Sequence, residues 1–296
     1  MPEKGLPVFL EYDQDALDAA YDQAAYAPNR EQLIERRVRD SVRGRIDEPE
    51  RLAYGPAEIE RLDIYRSARP AAPVFVFIHG GAWRSCRSKD FTGPAEMFLA
   101  ARAHYVVPDF AWVQDVGGSL MVVADQVRRA VAWVFQNIAR FGGDPNRLYL
   151  GGQSSGGHLA AVALTTDWRR DFGLPADIIK GGMCISGMYD LTPVRLSARS
   201  AYVKFDDATV SALSPIHHLE QLRAPLIVAY GTRETPEFQR QNREFAAAVK
   251  AAGMQVQLLV GEHYNHFELP ETLGNPYSLL GRAALDLMGL RTGGLQ

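Results

Sequence analysis

The sequence predicts an α/β fold with a mostly parallel central sheet that helices cover on both faces. From residue 74 onward, apolar runs of strand length alternate with amphipathic helical segments, a pattern typical of parallel sheets. Residues 75–78 (Phe-Val-Phe-Ile) form a continuous apolar run, as expected of a strand that is buried on both faces. No repeat or long linker interrupts the pattern, so we expect a single domain over residues 1–296.

The segment before this alternation, residues 1–45, is predicted to be helical. Residues 11–26 are compatible with one helix, and a second is expected to begin at Asn29, which has the spacing of a capping box with Gln32. Residues 61–66 alternate with period two and predict a half-buried strand near an edge of the sheet.

Further along the chain, two helices and one irregular segment are predicted. Apolar residues recur at helical spacing over residues 120–138 and again over residues 238–249. Residues 189–218 are the least regular stretch and follow a strand, so we interpret them as an insertion that forms part of a lid near a cleft.

A serine between glycines carries the strongest chemical signal. It lies where an apolar strand gives way to an alanine-rich helix, which is the setting of a nucleophile elbow. Only Ser154 fits Gly-x-Ser-x-Gly, with Gly152 and Gly156 on either side; the frame centred on Ser155 would need glycine where Gln153 stands. Ser154 is therefore the candidate nucleophile, and it needs a base to take its proton.

Two phosphate-binding interpretations of the same stretch are excluded. A P-loop requires lysine after the paired glycines, whereas this chain has His158. A dinucleotide loop requires Gly-x-Gly-x-x-Gly, and that register is absent.

A His-Gly-Gly segment follows the apolar run at residues 75–78. Such a segment allows backbone N–H groups to face a ligand, and it accompanies the nucleophile elbow in esterases and lipases. We expect the N–H groups of Gly81 and Ala82, together with that of Ser155, to form an oxyanion hole. The ring of His79 is interpreted as part of the core.

Carboxylates and imidazoles follow the last two predicted strands, in the order that an α/β-hydrolase requires. Glu234 and Glu237 follow residues 225–230, and we favour Glu234 because it lies closer to the strand end. Glu237 is interpreted as part of a solvated helix start. His263 and His266 follow the next strand, and a metal site there is disfavoured because no third ligand has suitable spacing.

Composition narrows the class of partner. The chain has 35 acidic and 32 basic residues, so neither nucleic acid nor an anionic membrane is indicated, and we expect a small-molecule substrate. No apolar run has the length of a membrane span, and the first residues lack a secretory pattern. The two cysteines, Cys86 and Cys184, fit a reducing cytoplasm, and Cys86 is interpreted as an idle thiol. The sequence leaves open whether the chain forms a homodimer.

Several motifs together resemble the α/β-hydrolase superfamily, and within it the arylformamidase (kynurenine formamidase) branch with its esterase relatives. The resemblance implies Ser154 as nucleophile, Glu234 as acid and His266 as base. Glu234 stands where the family often has aspartate, and Gln153 stands where it often has histidine. The motifs are His79-Gly80-Gly81-Ala82-Trp83, Lys89-Asp90-Phe91, Ser154-Ser155-Gly156-Gly157-His158, Thr166-Asp167-Trp168, Ile185-Ser186-Gly187-Met188-Tyr189-Asp190, Glu234-Thr235-Pro236-Glu237-Phe238 and Asn265-His266-Phe267.

The resemblance also implies a cofactor-free serine hydrolase with no metal, which cleaves a small aryl formamide or ester through an acyl-enzyme. N-formylkynurenine is the first expected substrate, which would place the chain in tryptophan catabolism. Trp83, Phe110, Tyr189 and Tyr202 are candidates for a pocket that accepts an aromatic ring. The alternatives are a general carboxylesterase and a non-catalytic small-molecule receptor with a hydrolase fold.

Overall fold

The computed structural model describes residues 5–42 and 46–290, so parts of the predicted N-terminal helical segment, residues 1–4 and 43–45, lie outside the described residues. The described strands form one eight-stranded sheet in the order β1-β2-β4-β3-β5-β6-β7-β8. They are β1 (Glu50–Ala53), β2 (Arg61–Tyr65), β3 (Ala72–Ile78), β4 (His104–Pro108), β5 (Gly143–Gln153), β6 (Gly181–Ile185), β7 (Leu226–Gly231) and β8 (Val256–Gly261).

Only the pairings of β2 with β1 and β4 are antiparallel, and all the others are parallel. The prediction of a mostly parallel sheet is therefore confirmed. Because parallel strands share one direction, the carboxyl ends of β3, β5, β7 and β8 lie along the same edge, and the predicted site residues follow these ends.

Ten α-helices accompany the sheet within the described residues. They are α1 (Gln14–Ala20), α2 (Arg30–Val42), α3 (Ala95–Ala100), α4 (Leu120–Asn137), α5 (Ser155–Leu164), α6 (Trp168–Phe172), α7 (Leu191–Leu196), α8 (Asp207–Ala212), α9 (Pro236–Ala251) and α10 (Leu279–Leu287). The helices predicted over residues 120–138 and 238–249 correspond to α4 and α9.

The core has two halves, one on each face of the sheet. Alternate residues of β3 point to opposite faces, although the whole strand is buried. Val74, Val76 and Ile78 join α4, α5 and α9 in one half. Phe75 and Phe77 join α3 and α10 in the other. Helices on both faces explain why this strand is a continuous apolar run.

The N-terminal region differs from the prediction in one respect. The helix expected over residues 11–26 is two pieces, α1 and a 3₁₀ turn at Gln23–Tyr26. The side chain of Asp22 accepts a hydrogen bond from the N–H of Ala24 at 2.9 Å, so it caps the second piece rather than continuing the first.

Strand β2 is the second strand from the edge, but it is not half-buried. Its residues from Leu62 to Tyr65 are all buried, because Leu62 and Ile64 pack in one half of the core and Tyr65 in the other, while Arg51 pairs with the carboxylate of Asp63.

Residues 189–218, interpreted above as a lid, contain α7 and α8 joined by short turns. They pack against the N-terminal region through polar contacts. The amide of Gln14 donates to the carbonyl of Leu196 at 2.8 Å, and Arg199 donates to the carbonyl of Tyr21 at 3.1 Å. The N-terminal region and this insertion therefore lie side by side at the carboxyl edge of the sheet.

Candidate active site

Ser154 occupies a sharp turn between β5 and α5. Its backbone angles, φ 58° and ψ −125°, lie in a region that non-glycine residues rarely adopt and that costs about 1–3 kcal/mol. Two backbone hydrogen bonds hold it there: its N–H donates to the carbonyl of Ile185 at 2.8 Å, and its carbonyl accepts from the N–H of His158 at 3.0 Å. Helix α5 begins at the next residue, so Ser154 lies at the turn itself.

Glycine is required on both sides of this serine because backbone approaches closely. A Cβ at Gly156 would overlap the carbonyl oxygens of Ile78 and His79, and one at Gly152 would overlap the carbonyl of Gly156. The Gly-x-Ser-x-Gly spacing therefore reflects the packing of α5 against β3 and β5.

His266 and Glu234 lie beside Ser154. The Ser154 hydroxyl donates to His266 Nε2 at 2.9 Å, and His266 Nδ1 lies 3.0 Å from Glu234 Oε2. All three side chains are buried, with 8% of Ser154, 4% of His266 and 1% of Glu234 exposed. The loops that follow β5, β7 and β8 thus bring together three residues separated by up to 112 positions.

The surroundings of Glu234 fix its orientation. Its Oε1 accepts from the hydroxyl of Ser186 at 2.6 Å and from the N–H of Gly231 at 2.7 Å, which leaves Oε2 for the imidazole. With Nδ1–H donating to this carboxylate, His266 keeps Nε2 as an acceptor for the serine proton.

The motif containing Ser186 carried the family resemblance, but sequence reasoning gave this residue no role. The available signal was its position immediately after β6, at the same strand edge as Ser154 and Glu234.

Gln153 also touches the imidazole. Its amide nitrogen lies 3.2 Å from His266 Nε2 and donates to the backbone carbonyl of His266 at 3.3 Å. This residue thus links the end of β5 to the loop that carries His266.

The predicted oxyanion segment adopts the left-handed backbone region at three consecutive residues: Gly81 (φ 113°), Ala82 (φ 54°) and Trp83 (φ 60°). The N–H of Trp83 donates to Ser155 Oγ at 3.2 Å, and the carbonyl of Trp83 accepts from Val113 at 2.7 Å. Within the described ranges, no protein group accepts from the N–H of Gly81, Ala82 or Ser155. These three donors are therefore available to a ligand.

The alternative acid and base lie elsewhere. His263 is exposed, and its N–H donates to Thr232 Oγ1 at 2.8 Å. Glu237 does lie in the first turn of α9, but the prediction that it is solvated is wrong. Its side chain is fully buried, paired with Arg240 at 2.7 Å and hydrogen-bonded by the hydroxyl of Tyr21 at 2.9 Å.

Of the four aromatic residues predicted to line a pocket, three are core residues, Trp83, Phe110 and Tyr189, and Tyr202 is partly exposed. Tyr189 is fully buried, stacks on Phe245 at 4.1 Å and donates from its hydroxyl to Asn242. Phe110 stacks on His79 at 4.3 Å and is 2% exposed. Because both rings are buried against other core residues, they are not accessible to an aromatic ligand.

The other two lie at the oxyanion segment. Trp83 is buried edge-on to His158, with ring centres 5.3 Å apart, and also edge-on to Phe205 of the insertion. Tyr202 is partly exposed under the guanidinium of Arg84, 4.2 Å from the ring centre.

The His79 ring and Cys86 fit their predicted roles. Burial lowers the pKa of His79, whose Nδ1 lies 2.8 Å from the carbonyl of Gly80. Burial raises the pKa of the Cys86 thiol, so it is held in its neutral form.

Comparison with known proteins assigns the family. The family model BD-FAE matches residues 62–183. The kynurenine formamidase of Danio rerio is 33% identical over 243 residues, which cover 80% of each chain. The chain belongs to the kynurenine formamidase family. The chain is therefore a hydrolase, and it has the α/β-hydrolase fold.

Esterases are also among the relatives of this formamidase-family chain. Esterase LipQ of Mycobacterium tuberculosis is 27% identical over 81% of this chain and 61% of its own length. The esterase of Pyrobaculum calidifontis shares the fold, with a TM-score of 0.69 at 20% identity over 93% of this chain and 98% of that chain. In the described part of the chain, no helix has the length and apolar character to cross a membrane.

Proposed function

We propose that this protein is a serine hydrolase that cleaves a small aryl formamide, with N-formylkynurenine as the first candidate substrate. The observation that carries the proposal is the hydrogen-bonded series Ser154–His266–Glu234, with distances of 2.9 and 3.0 Å, next to three free backbone N–H groups. The resemblance to kynurenine formamidases in sequence supports the choice of substrate.

The proposed reaction begins when Ser154 Oγ attacks the formyl carbon while His266 Nε2 takes the hydroxyl proton. Negative charge develops on the former carbonyl oxygen, where the N–H groups of Gly81, Ala82 and Ser155 stabilise it. When the C–N bond breaks, His266 returns the proton to the aromatic amine, and a formyl ester remains on Ser154. Water then attacks this ester while His266 takes one of its protons; the bond between the formyl carbon and Ser154 Oγ breaks, His266 returns the proton to Oγ, and formic acid leaves.

Glu234 supports both halves of this cycle. Its carboxylate holds Nδ1–H, which fixes the tautomer of His266 and stabilises the imidazolium that forms at each proton transfer. Ser186 and Gly231 donate to its other oxygen and so hold the carboxylate in the orientation that faces Nδ1.

We further propose that the aromatic part of the substrate lies between the oxyanion segment and residues 189–218. Tyr202 is a partly exposed ring of this region, and Arg199 joins it to Trp83: the guanidinium donates to the Tyr202 hydroxyl at 2.9 Å and lies 5.6 Å from the Trp83 ring centre. The two free thiols support a reducing, cytoplasmic setting.

Steady-state hydrolysis of N-formylkynurenine and of p-nitrophenyl acetate by the purified protein tests the substrate. We expect kcat/KM for N-formylkynurenine to equal or exceed that for the ester, and Ser154→Ala to abolish both activities. Rapid ester hydrolysis with negligible turnover of N-formylkynurenine would instead assign the protein as a general carboxylesterase, the second candidate, which its resemblance to LipQ favours.

A non-catalytic receptor is the third candidate. It is disfavoured because the three side chains that the chemistry needs lie within hydrogen-bonding distance of one another. Tight binding of N-formylkynurenine with no hydrolysis of any formyl or acetyl ester would establish it.

A further inference from the structure

One short stretch of the N-terminal region, residues 20–29, contacts both loops that carry the proposed acid and base. Its partners are more than 200 residues away in the sequence. Two side-chain amides, those of Gln23 and Asn29, make most of these contacts, and we refer to them together as the amide pair.

Gln23 binds the residue next to the proposed acid. Its Nε2 donates to Thr235 Oγ1 at 2.9 Å, and its Oε1 accepts from the N–H of Thr235 at 3.2 Å. The Thr235 hydroxyl donates in turn to the carbonyl of Ala20 at 2.7 Å. Gln23 is 6% exposed and Thr235 is fully buried, so water does not compete for these bonds. Thr235 directly follows Glu234.

Asn29 binds the loop of the proposed base in the same two-point manner. Its Oδ1 accepts from Asn265 Nδ2 at 2.9 Å, and its Nδ2 donates to Glu268 Oε1 at 2.7 Å. The N–H of Asn265 donates to the other oxygen of Glu268 at 3.0 Å, which closes a ring of three residues. Asn265 directly precedes His266.

The chemistry of each position calls for an amide. At both contacts the partner groups offer one donor and one acceptor, and a side-chain amide supplies the complementary pair from one planar group. The backbone N–H of Thr235 and the carboxylate of Glu268 fix the orientation, since the first only donates and the ionised form of the second only accepts. A carboxylate or an alkyl group at residue 23 or 29 would lose at least one bond.

We propose that Gln23 and Asn29 are positioning residues that hold Glu234 and His266 at the separation required for proton transfer. The inference rests on the proposed function, because it assigns the acid and base their roles. A shift of either loop by a few tenths of an ångström changes the 3.0 Å contact between Glu234 and His266 directly. Such a change affects the chemical step rather than substrate binding.

The test compares Gln23→Ala, Asn29→Ala and the double variant with Gln32→Ala, which removes an exposed amide on the same N-terminal region. We expect kcat to fall about tenfold for each single variant, as expected when about 1.4 kcal/mol of transition-state stabilisation is lost, with KM within a factor of two. Gln32→Ala should retain the wild-type kcat.

Two results would overturn the proposal. One is a kcat for the folded Ala variants equal to that of Gln32→Ala; the other is a loss that appears only in KM or only in the folded fraction measured by circular dichroism. If an Ala variant does not fold, Gln23→Glu and Asn29→Asp keep the shape, remove one donor each and are expected to show the same selective loss of kcat.

Wild-type protein in the same assays separates this proposal from the proposed function. If the wild type neither hydrolyses formyl or acetyl substrates nor reacts with a fluorophosphonate, the proposed function itself fails. If the wild type is active and the amide pair can be removed without effect on kcat, only the positioning role fails.

Discussion

The two sides of the site are built differently. On the nucleophile side, Ser154 and the oxyanion segment are positioned by glycine packing and backbone hydrogen bonds of β3, β5 and α5. On the acid–base side, Glu234 and His266 sit on loops whose positions depend on side chains from distant parts of the chain, Ser186, Gln23 and Asn29 among them. Backbone packing leaves little freedom, whereas side-chain contacts can be removed one at a time. We therefore expect damage to the first side to affect folding and damage to the second to affect turnover.

The largest effect is expected from Gly156→Ala. The new methyl group would overlap two backbone carbonyls that cannot move without displacing β3, so the free energy of unfolding should fall by about 3 kcal/mol. Urea denaturation measures this change.

Gly93→Ala is the matched control, because nothing lies within 4 Å of its added methyl group. It should remain within about 0.5 kcal/mol of wild type. Equal stability of the two variants would contradict the account of the elbow.

A pH effect of similar size is expected on the nucleophile side. Burial lowers the pKa of His158, in α5, to about 4, and an exposed imidazole titrates near pH 6.5. Between about pH 6.5 and 4 the unfolded chain therefore binds one more proton than the folded chain, so stability falls as the pH falls. The stability that neutral His158 contributes is fully present above about pH 6.5, and about 3 kcal/mol of the free energy of unfolding is lost by about pH 4.

Urea denaturation at several pH values checks this prediction. His158→Gln should flatten the pH dependence, whereas His217→Gln, at an exposed position, should leave it unchanged. If stability changed equally with pH in the wild type and in both variants, burial would not be holding His158 in its neutral form.

The smallest of these effects is expected from Ser186→Ala on the acid–base side. Glu234 would lose the 2.6 Å hydrogen bond from this hydroxyl but keep those from Gly231 and His266. We expect kcat to fall about tenfold, which corresponds to about 1.4 kcal/mol, with little change in KM. Steady-state kinetics measures kcat and KM, and a thermal melt measures the stability of the variant. A large drop in stability with unchanged kcat would mean that Ser186 supports the fold rather than the position of Glu234.

The contrast also explains what the sequence could predict. The turn around Ser154 and the free N–H groups near Gly81 are encoded in contiguous residues, so local motifs predict their backbone geometry. Ser186, Gln23 and Asn29 act on residues 48, 212 and 236 positions away, and no local pattern reports such contacts.

Asn29 illustrates the difficulty most clearly. Its spacing from Gln32 predicted a helix cap, and α2 does begin at the next residue. Its amide, however, binds Asn265 and Glu268 instead, because these partners satisfy both its donor and its acceptor. Likewise, the burial of Glu237 depends on Tyr21 and Arg240, and the first of these is 216 residues away.

The most direct test of the central claim, that Ser154 is a nucleophile activated by His266, is intact-mass analysis after exposure to a fluorophosphonate. We predict a single adduct on the wild-type protein, mapped by peptide digestion to Ser154, and labelling at least about 100-fold slower in His266→Ala. The claim would be contradicted by an adduct on another residue, by no adduct on active protein, or by equal labelling rates in wild type and His266→Ala.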